Sequence, residues 1–289
     1  MIEFEGLPES LPELVDPVML CAFEGWNDAG DAASGAVLHL EEVWSATQIA
    51  EMDPEDYYDF QVNRPEVTID DGVRSITWPT TRISVARIPL ATRDVVLVSG
   101  IEPSMRWRTF TQELLDVARE LGVEMVVTLG ALLADSPHTR PVPVSGTSSD
   151  SDISLRMGYE PSTYEGPTGI VGVLHAACRD AGLRSASLWA AVPTYVPSVP
   201  SPKASLALLR RLASLLDTPL IDVGNVALDA LAAEALDYER QISEVADDDE
   251  ETTDYVHRLE RAYDEDEGLL DETGSLVDEV ERFLREQRD

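Results

Sequence analysis

The sequence predicts an α/β protein: a doubly wound, mostly parallel sheet flanked by helices, followed by a C-terminal helical appendage. Three observations predict it. Apolar runs at 18–23, 93–99, 124–129 and 186–192 have the continuous character of strands buried on both faces. Segments of helical period lie between them, supplying the crossovers that parallel neighbours require. Beyond residue 222 no strand signal remains, and apolar residues recur at helical steps.

The elements follow in order. After an irregular Pro-containing start, 18–23 is a buried strand, and 31–44 is a helix carrying Ala36, Val37, Leu40, Val43 and Trp44 at helical spacing. Residues 67–69 and 73–78 alternate about Asp70-Asp71-Gly72, a hairpin signal, and 83–86 continues the β texture. The strand at 93–99 leads to a helix capped by Ser104 and running to Leu121, with Gly122 at its C-terminal end. A strand at 124–129 follows. The stretch 131–167, rich in Ser, Pro, Asp and Thr, is expected to be a long loop, either a binding loop or disordered.

A helix over 168–181, with Thr168 as a candidate cap, precedes the strand at 186–192, a Pro-rich connector and a helix striped by Leu206, Leu209, Leu212 and Leu216. Leu228, Leu231, Ala235, Tyr238, Ile242 and Val245 then form a coiled-coil-like seam under three heptads long. Packing on its own domain or on a sister subunit is the expected use of that seam. Val256, Leu259 and Tyr263, then Leu276, Val280 and Phe283, extend the pattern around a break at 264–268. The expected organisation is an α/β core domain over 1–220 and an acidic helical region over 221–289.

Composition excludes several functions. A formal charge of −34 over 289 residues argues against nucleic acid and against an anionic membrane, because both are bound largely through Lys and Arg. Lys203 is the one lysine in the chain. Residues 1–5 lack the basic and apolar regions of a signal peptide, and no apolar run approaches a membrane span, so a cytoplasmic protein is expected. Cys21 and Cys178 are expected to be buried free thiols. No histidine stands at metal-ligand spacing, and neither a metal nor a cofactor is expected.

Charged residues gather where strands hand over to loops, the edge at which open α/β sheets bind ligands. Gly25-Trp26-Asn27-Asp28-Ala29-Gly30 has the glycine spacing of a phosphate loop, but Asp31 and Ala32 replace its Lys and Ser/Thr. Capping of the following helix by Asp28 or Asp31 is the preferred reading, with Asn27 free to orient a ligand or a loop. Glu102 and Arg106 lie one helical turn apart and form either an intrahelical pair or part of a site. Tyr164, Glu165 and Thr168, flanked by Gly166 and Gly169, fit a loop that approaches backbone or ligand closely. No Gly-x-Ser-x-Gly elbow exists. His138, with Asp135 before it and Arg140 after, reads either as a general base beside a carboxylate and an anion-holding guanidinium, or as part of a hydrogen-bonded loop anchor. The second reading is preferred, since spacing ties no second histidine or nucleophile to the group.

Five ordered blocks carry a resemblance: Gly25 to Gly30, Gly100-Ile101-Glu102-Pro103, Asp135-Ser136-Pro137-His138-Thr139-Arg140-Pro141, Tyr164-Glu165-Gly166-Pro167-Thr168-Gly169 and Ser187-Leu188-Trp189-Ala190-Ala191-Val192-Pro193. Together they resemble the proteasome assembly chaperone family, in the second-chaperone lineage and its high-GC bacterial branch. The resemblance implies a nucleoside-phosphorylase-like α/β core and a non-enzymatic interaction protein that assists proteasome core assembly. It implies proteasome subunits as partners, beside the homo-oligomer expected from the seam. Asn27, Asp28, Glu102, Arg106, Tyr164 and Glu165 are the binding candidates. Relatives that dock through a C-terminal hydrophobic-Tyr-any tail differ here, for this chain ends Arg285-Glu286-Gln287-Arg288-Asp289. The alternative is a small-molecule enzyme, hydrolase- or phosphorylase-like, with Asp135, His138 and Arg140 as acid, base and anion holder at the strand ends.

Overall fold

Strand β2 (Val18–Glu24) lies inside the sheet with six of its seven residues buried, which is why its sequence is a continuous apolar run. Val18, Leu20 and Ala22 enter one core while Met19, Cys21 and Phe23 enter another on the opposite face, as the two-residue period of a strand dictates. The computed structural model describes residues 2–3, 13–70, 72–88, 93–217 and 226–266. Ten strands occur among them: β1 (Ile2–Glu3), β2, β3 (Thr47–Met52), β4 (Glu66–Asp70), β5 (Val73–Thr77), β6 (Thr81–Arg87), β7 (Asp94–Ile101), β8 (Met125–Ala134), β9 (Val144–Ser148) and β10 (Arg184–Pro193).

Eight strands form one sheet in the order β1-β3-β6-β7-β2-β8-β10-β9. The four central strands, β7, β2, β8 and β10, are parallel. Antiparallel strands complete both sides, β6, β3 and β1 beyond β7 and β9 beyond β10. Helices α1 (Ala32–Val43) and α6 (Pro202–Leu216) cover the first core; α3 (Trp107–Glu120) and α5 (Ile170–Asp180) cover the second. The expected α/β core with helices on both faces is therefore present. Phe110 of α3 meets Phe23 and Tyr57 edge-on, at ring centroids 5.7 and 5.2 Å apart, a geometry worth more than its buried area alone. Tyr57 closes the short helix α2 (Pro54–Tyr57). Cys21 and Cys178 are free and buried, as expected.

The Asp-Gly signal lies between β4 and β5, which pair as a separate two-stranded sheet. Other expectations are corrected. Ser104 does not cap α3; Arg106, at φ +56°, occupies that position, and the Ser104 hydroxyl instead accepts from the Asp59 N–H at 3.2 Å. The 131–167 stretch is not one loop. It holds the end of β8, the edge strand β9 and α4 (Ser151–Met157), whose first turn is capped by Asp150 accepting from the N–H groups of Asp152 and Ile153 at 2.9 and 3.1 Å. Thr168 gives way to Gly169 as the residue before α5.

Helix α7 (Val226–Asp247) turns its seam inward. Leu228, Leu231 and Ala235 join the same core as α1 and α6, and Tyr238 and Ile242 are also buried. Val245 is the exception: it is 67 % exposed while Ala246 takes the buried position, because a straight helix drifts relative to a strict heptad. The seam is thus covered by the chain's own α6, which removes the sequence-based motive for self-association through it. A further helix, α8, spans 250–266 and passes through Asp264 and Asp266 without a break. Leu276, Val280 and Phe283 lie outside the described residues.

Candidate functional site

The turn after β2 brings two candidates into different roles. Gly25 sits at φ +116° and buried Gly30 at φ +60°, conformations open to glycine at little steric cost. Asp28 then lies at the N-terminus of α1, and its carboxylate accepts from the Ala33 N–H at 2.6 Å, the Ser34 N–H at 3.3 Å and the Ser34 hydroxyl. These are orphan donors that every helix start leaves. Burial pushes the Asp28 carboxyl above its ordinary range, and the bond from Ser34 opposes that rise. The protein's own carboxylate fills the place a phosphate would take. Asp31, at φ +47°, makes no side-chain cap bond.

Asn27 is fully buried and donates from Nδ2 to Oε1 of Glu102 at 2.6 Å. The same oxygen accepts from the Ile170 N–H at 2.8 Å, so Glu102, one residue beyond β7, caps α5 across the sheet edge. Gly169 completes the junction: a Cβ there would stand 2.1 Å from Asn27 Oδ1. Two strand ends and the loop before α5 therefore meet in one contact. Asn27 Oδ1 remains buried without a partner among the described residues.

Arg106 does not pair with Glu102. It forms an ion pair with Asp56 and lies over the Tyr57 ring, 5.8 Å from the centroid, because α3 starts only at Trp107 and Glu102 precedes it. Tyr164 is 67 % exposed and donates to the Pro167 carbonyl at 2.9 Å, and Glu165 is exposed beside it.

Asp135, His138 and Arg140 face the C-terminal helices rather than one another. His138 is buried, with Nδ1 2.7 Å from the Tyr195 hydroxyl and Nε2 2.9 Å from Ser243 Oγ on α7. Its backbone N–H also donates to Tyr195, while Lys203 donates to its carbonyl and to Glu239. Burial, then the Lys203 charge, holds the imidazole below its ordinary pKa. Burial likewise pushes the Tyr195 hydroxyl up to about 12. Asp135 accepts from Tyr255 at 2.9 Å, and Arg140 grips Asp264 with both Nε and Nη2, at 2.7 and 2.8 Å, while also reaching Glu260 at 3.2 Å. The bond to Asp264 is the main cause of the raised Arg140 pKa, and the guanidinium in turn holds the Asp264 carboxyl below its usual range.

A cleft of about 1390 Å³ opens beside these contacts at the carboxyl ends of β2, β8 and β10. Asp28 and Tyr164 line it; Asp135, His138, Arg140, Glu102, Arg106 and Glu165 do not. Its walls include Trp26, Leu132, Leu133 and Trp189, with Trp189 lying flat over Gly130, where a Cβ would come within 2.7 Å of the ring. His175 contributes a buried Nδ1 with no partner among the described residues, and burial, then Arg179, lowers its pKa. None of these five was a site candidate from sequence, although Trp26 and Trp189 stand in the blocks that carry the family resemblance. Trp26 inside a polar turn and Leu132-Leu133 continuing a strand into a polar loop were the available signals. No cluster of three or more His, Cys, Asp or Glu side chains suited to a metal occurs among the described residues, and none of their helices is long and apolar enough to cross a membrane.

The fold and the site define a doubly wound α/β protein whose strand-end loop is braced by its own C-terminal helices beside a broad, largely apolar cleft. The chain belongs to the PAC2 family, whose sequence model matches residues 22–246. It is 58 % identical to a PAC2 family protein of Streptomyces avermitilis, over 83 % of this chain and 100 % of that one, with a TM-score of 0.77. A Mycobacterium tuberculosis proteasome-assembly chaperone homologue is 52 % identical over 83 % and 99 % of the two chains, with a TM-score of 0.74. The fold alone is shared with PbaB of Pyrococcus furiosus, an archaeal proteasome activator, at 17 % identity, a TM-score of 0.64 and coverage of 84 % and 98 %. No curated protein matches the sequence.

Proposed function

We propose that this chain is a non-enzymatic interaction protein of the cytoplasm that assists assembly of the proteasome core. The observation that carries the reading is the use made of Asp135, His138 and Arg140: each is bonded to C-terminal elements, and all three lie outside the cleft. A general base must reach its substrate within hydrogen-bond distance in a concave site, and an imidazole engaged at both ring nitrogens serves as a brace instead. The name of the 52 % identical relative supports the proteasome as the partner. The exposed surface around Arg106 and Tyr164 is the binding region proposed for it, with Asn27, Asp28 and Glu102 shaping it from beneath. Affinity capture of the tagged full chain from native lysate, with mass spectrometry of what is retained, tests the reading. Recovery of proteasome α or β subunits is expected, reduced several-fold in the folded R106A/Y164A variant. Recovery of none overturns it.

One observation favours a second reading, a small-molecule enzyme: the cleft at the strand ends, with His175 Nδ1, unpartnered among the described residues, in its wall. A metabolite-binding screen that finds a ligand lost in H175Q, together with turnover, would replace the chaperone reading.

A further inference from the structure

The β4–β5 hairpin has no cover among the described residues: all ten of its strand residues are exposed. Register makes it amphipathic. Val67 pairs with Ile76 and Ile69 with Arg74, which puts those four on one face. Thr68 and Ser75 lie on the other, joined hydroxyl to hydroxyl at 2.7 Å. On the first face Val67 is 49 %, Ile69 72 % and Ile76 53 % exposed. A lone two-stranded hairpin is marginally stable in water, and an exposed apolar face of this kind marks an interaction surface. Its base is fixed by Phe60 and Trp78, whose rings are 4.8 Å apart.

A complementary surface exists on the same molecule. The cleft exposes Trp26, Leu132, Leu133 and Tyr164, and Asp31 and Glu160 place exposed carboxylates in its lining. At about 1390 Å³, above the roughly 300–1,000 Å³ of small-molecule pockets, it has room for a polypeptide segment. The hairpin does not fill its own cleft. It leads into Thr81, paired with Gly100 near the end of β7, whereas the cleft centres on β8 and β10. At about 4.8 Å per strand, these places are roughly 15–20 Å apart along one sheet edge, and no hairpin residue lines the cleft.

We propose that the hairpin of one copy docks in the cleft of a second copy, Val67, Ile69 and Ile76 against the Trp26–Leu132–Leu133 wall, with Arg74 meeting Asp31 and Glu160. Charge complementarity supports this occupant: Arg74 is the one charged residue of the docking face, Glu66 and Asp70 lying on the opposite face, and the cleft presents exposed Asp31 and Glu160 alongside Arg211. The contact joins two different patches, so it either closes reciprocally into a two-fold dimer or repeats head to tail into a ring or an open chain. It stands independently of the chaperone reading.

Light scattering on the full chain at micromolar concentration tests it, using I69D in the hairpin and L132D in the cleft, both exposed positions, with folding checked by circular dichroism. The parent protein is expected above the monomer mass of 31.7 kDa, and each variant alone at that mass. An equimolar mixture of the two is expected to form a heterodimer, because I69D keeps an intact cleft and L132D an intact hairpin. A monomeric parent, or variants of parental mass, overturns the proposal. Variants that stay monomeric when mixed overturn it, and L132D at the parental mass beside a monomeric I69D overturns it in favour of a symmetric hairpin–hairpin contact. A monomeric parent whose I69D variant loses captured proteasome subunits assigns the hairpin to that partner instead.

Discussion

His138 is clamped between Tyr195 and Ser243, one hydroxyl on each ring nitrogen, across 105 positions of chain to the latter. The imidazole therefore ties the loop after β8 to α7. In H138A the Ser243 hydroxyl loses its partner, while Tyr195 keeps the backbone N–H. Ser243 is half-buried, so its unpaired hydroxyl costs less than the about 1–3 kcal/mol of a fully buried one. Urea denaturation is expected to show a loss of about 1 kcal/mol, with the far-ultraviolet circular dichroism unchanged.

The same residue gives a pH dependence with a definite sign. Burial holds the folded His138 pKa below its unfolded value, so its contribution is present above about 6.5 and is lost as pH falls through the folded pKa. The charges facing it are Lys203, Glu239, Glu260 and Asp247. Stability of the parent chain is expected to fall more steeply than that of H138Q as pH drops below about 6.5. Parallel melting curves would remove the imidazole from the explanation.

Glu102 serves Asn27 and the first turn of α5 through one oxygen. E102A is expected to cost about 1–2 kcal/mol, the range for a lost helix cap, and E102Q less, since an amide oxygen still accepts. G169A places a methyl against the Asn27 amide and is expected to lose about 1–3 kcal/mol by overpacking. Thermal melts of the three variants give the order.

Arg140 acts at the surface on Asp264 and Glu260. Its removal is expected to change global stability by less than about 1 kcal/mol but to raise amide hydrogen exchange across 250–266. Uniform protection of that helix in R140A would show that other contacts hold it.

Part of this structure was legible in the sequence for a physical reason. Strands buried on both faces must be apolar throughout, so Val18 to Phe23 announced β2, and Asp-Gly between alternating runs announced β4 and β5. Strand β9, Val-Ser-Gly-Thr-Ser, gave no such signal: it is a short, polar edge strand. Family blocks marked Asn27, Glu102 and Gly169, but not that one Glu102 oxygen joins Asn27 to Ile170, the residue after Gly169. The Asp135, His138 and Arg140 spacing hinted at a site, while their partners Tyr255, Ser243 and Asp264 lie more than a hundred residues away. Local patterns carry no trace of contacts so distant. The cleft escaped notice because its walls come from several separated segments.

The placement of Trp189 over Gly130, with Trp26 across the cleft and Trp78 at the hairpin base, gives the molecule an optical reporter. Three of its five tryptophans stand where the hairpin and the cleft would meet. Docking would withdraw Trp26, now 64 % exposed, from water and shift emission to shorter wavelength, so assembly can be followed by intrinsic fluorescence without a label.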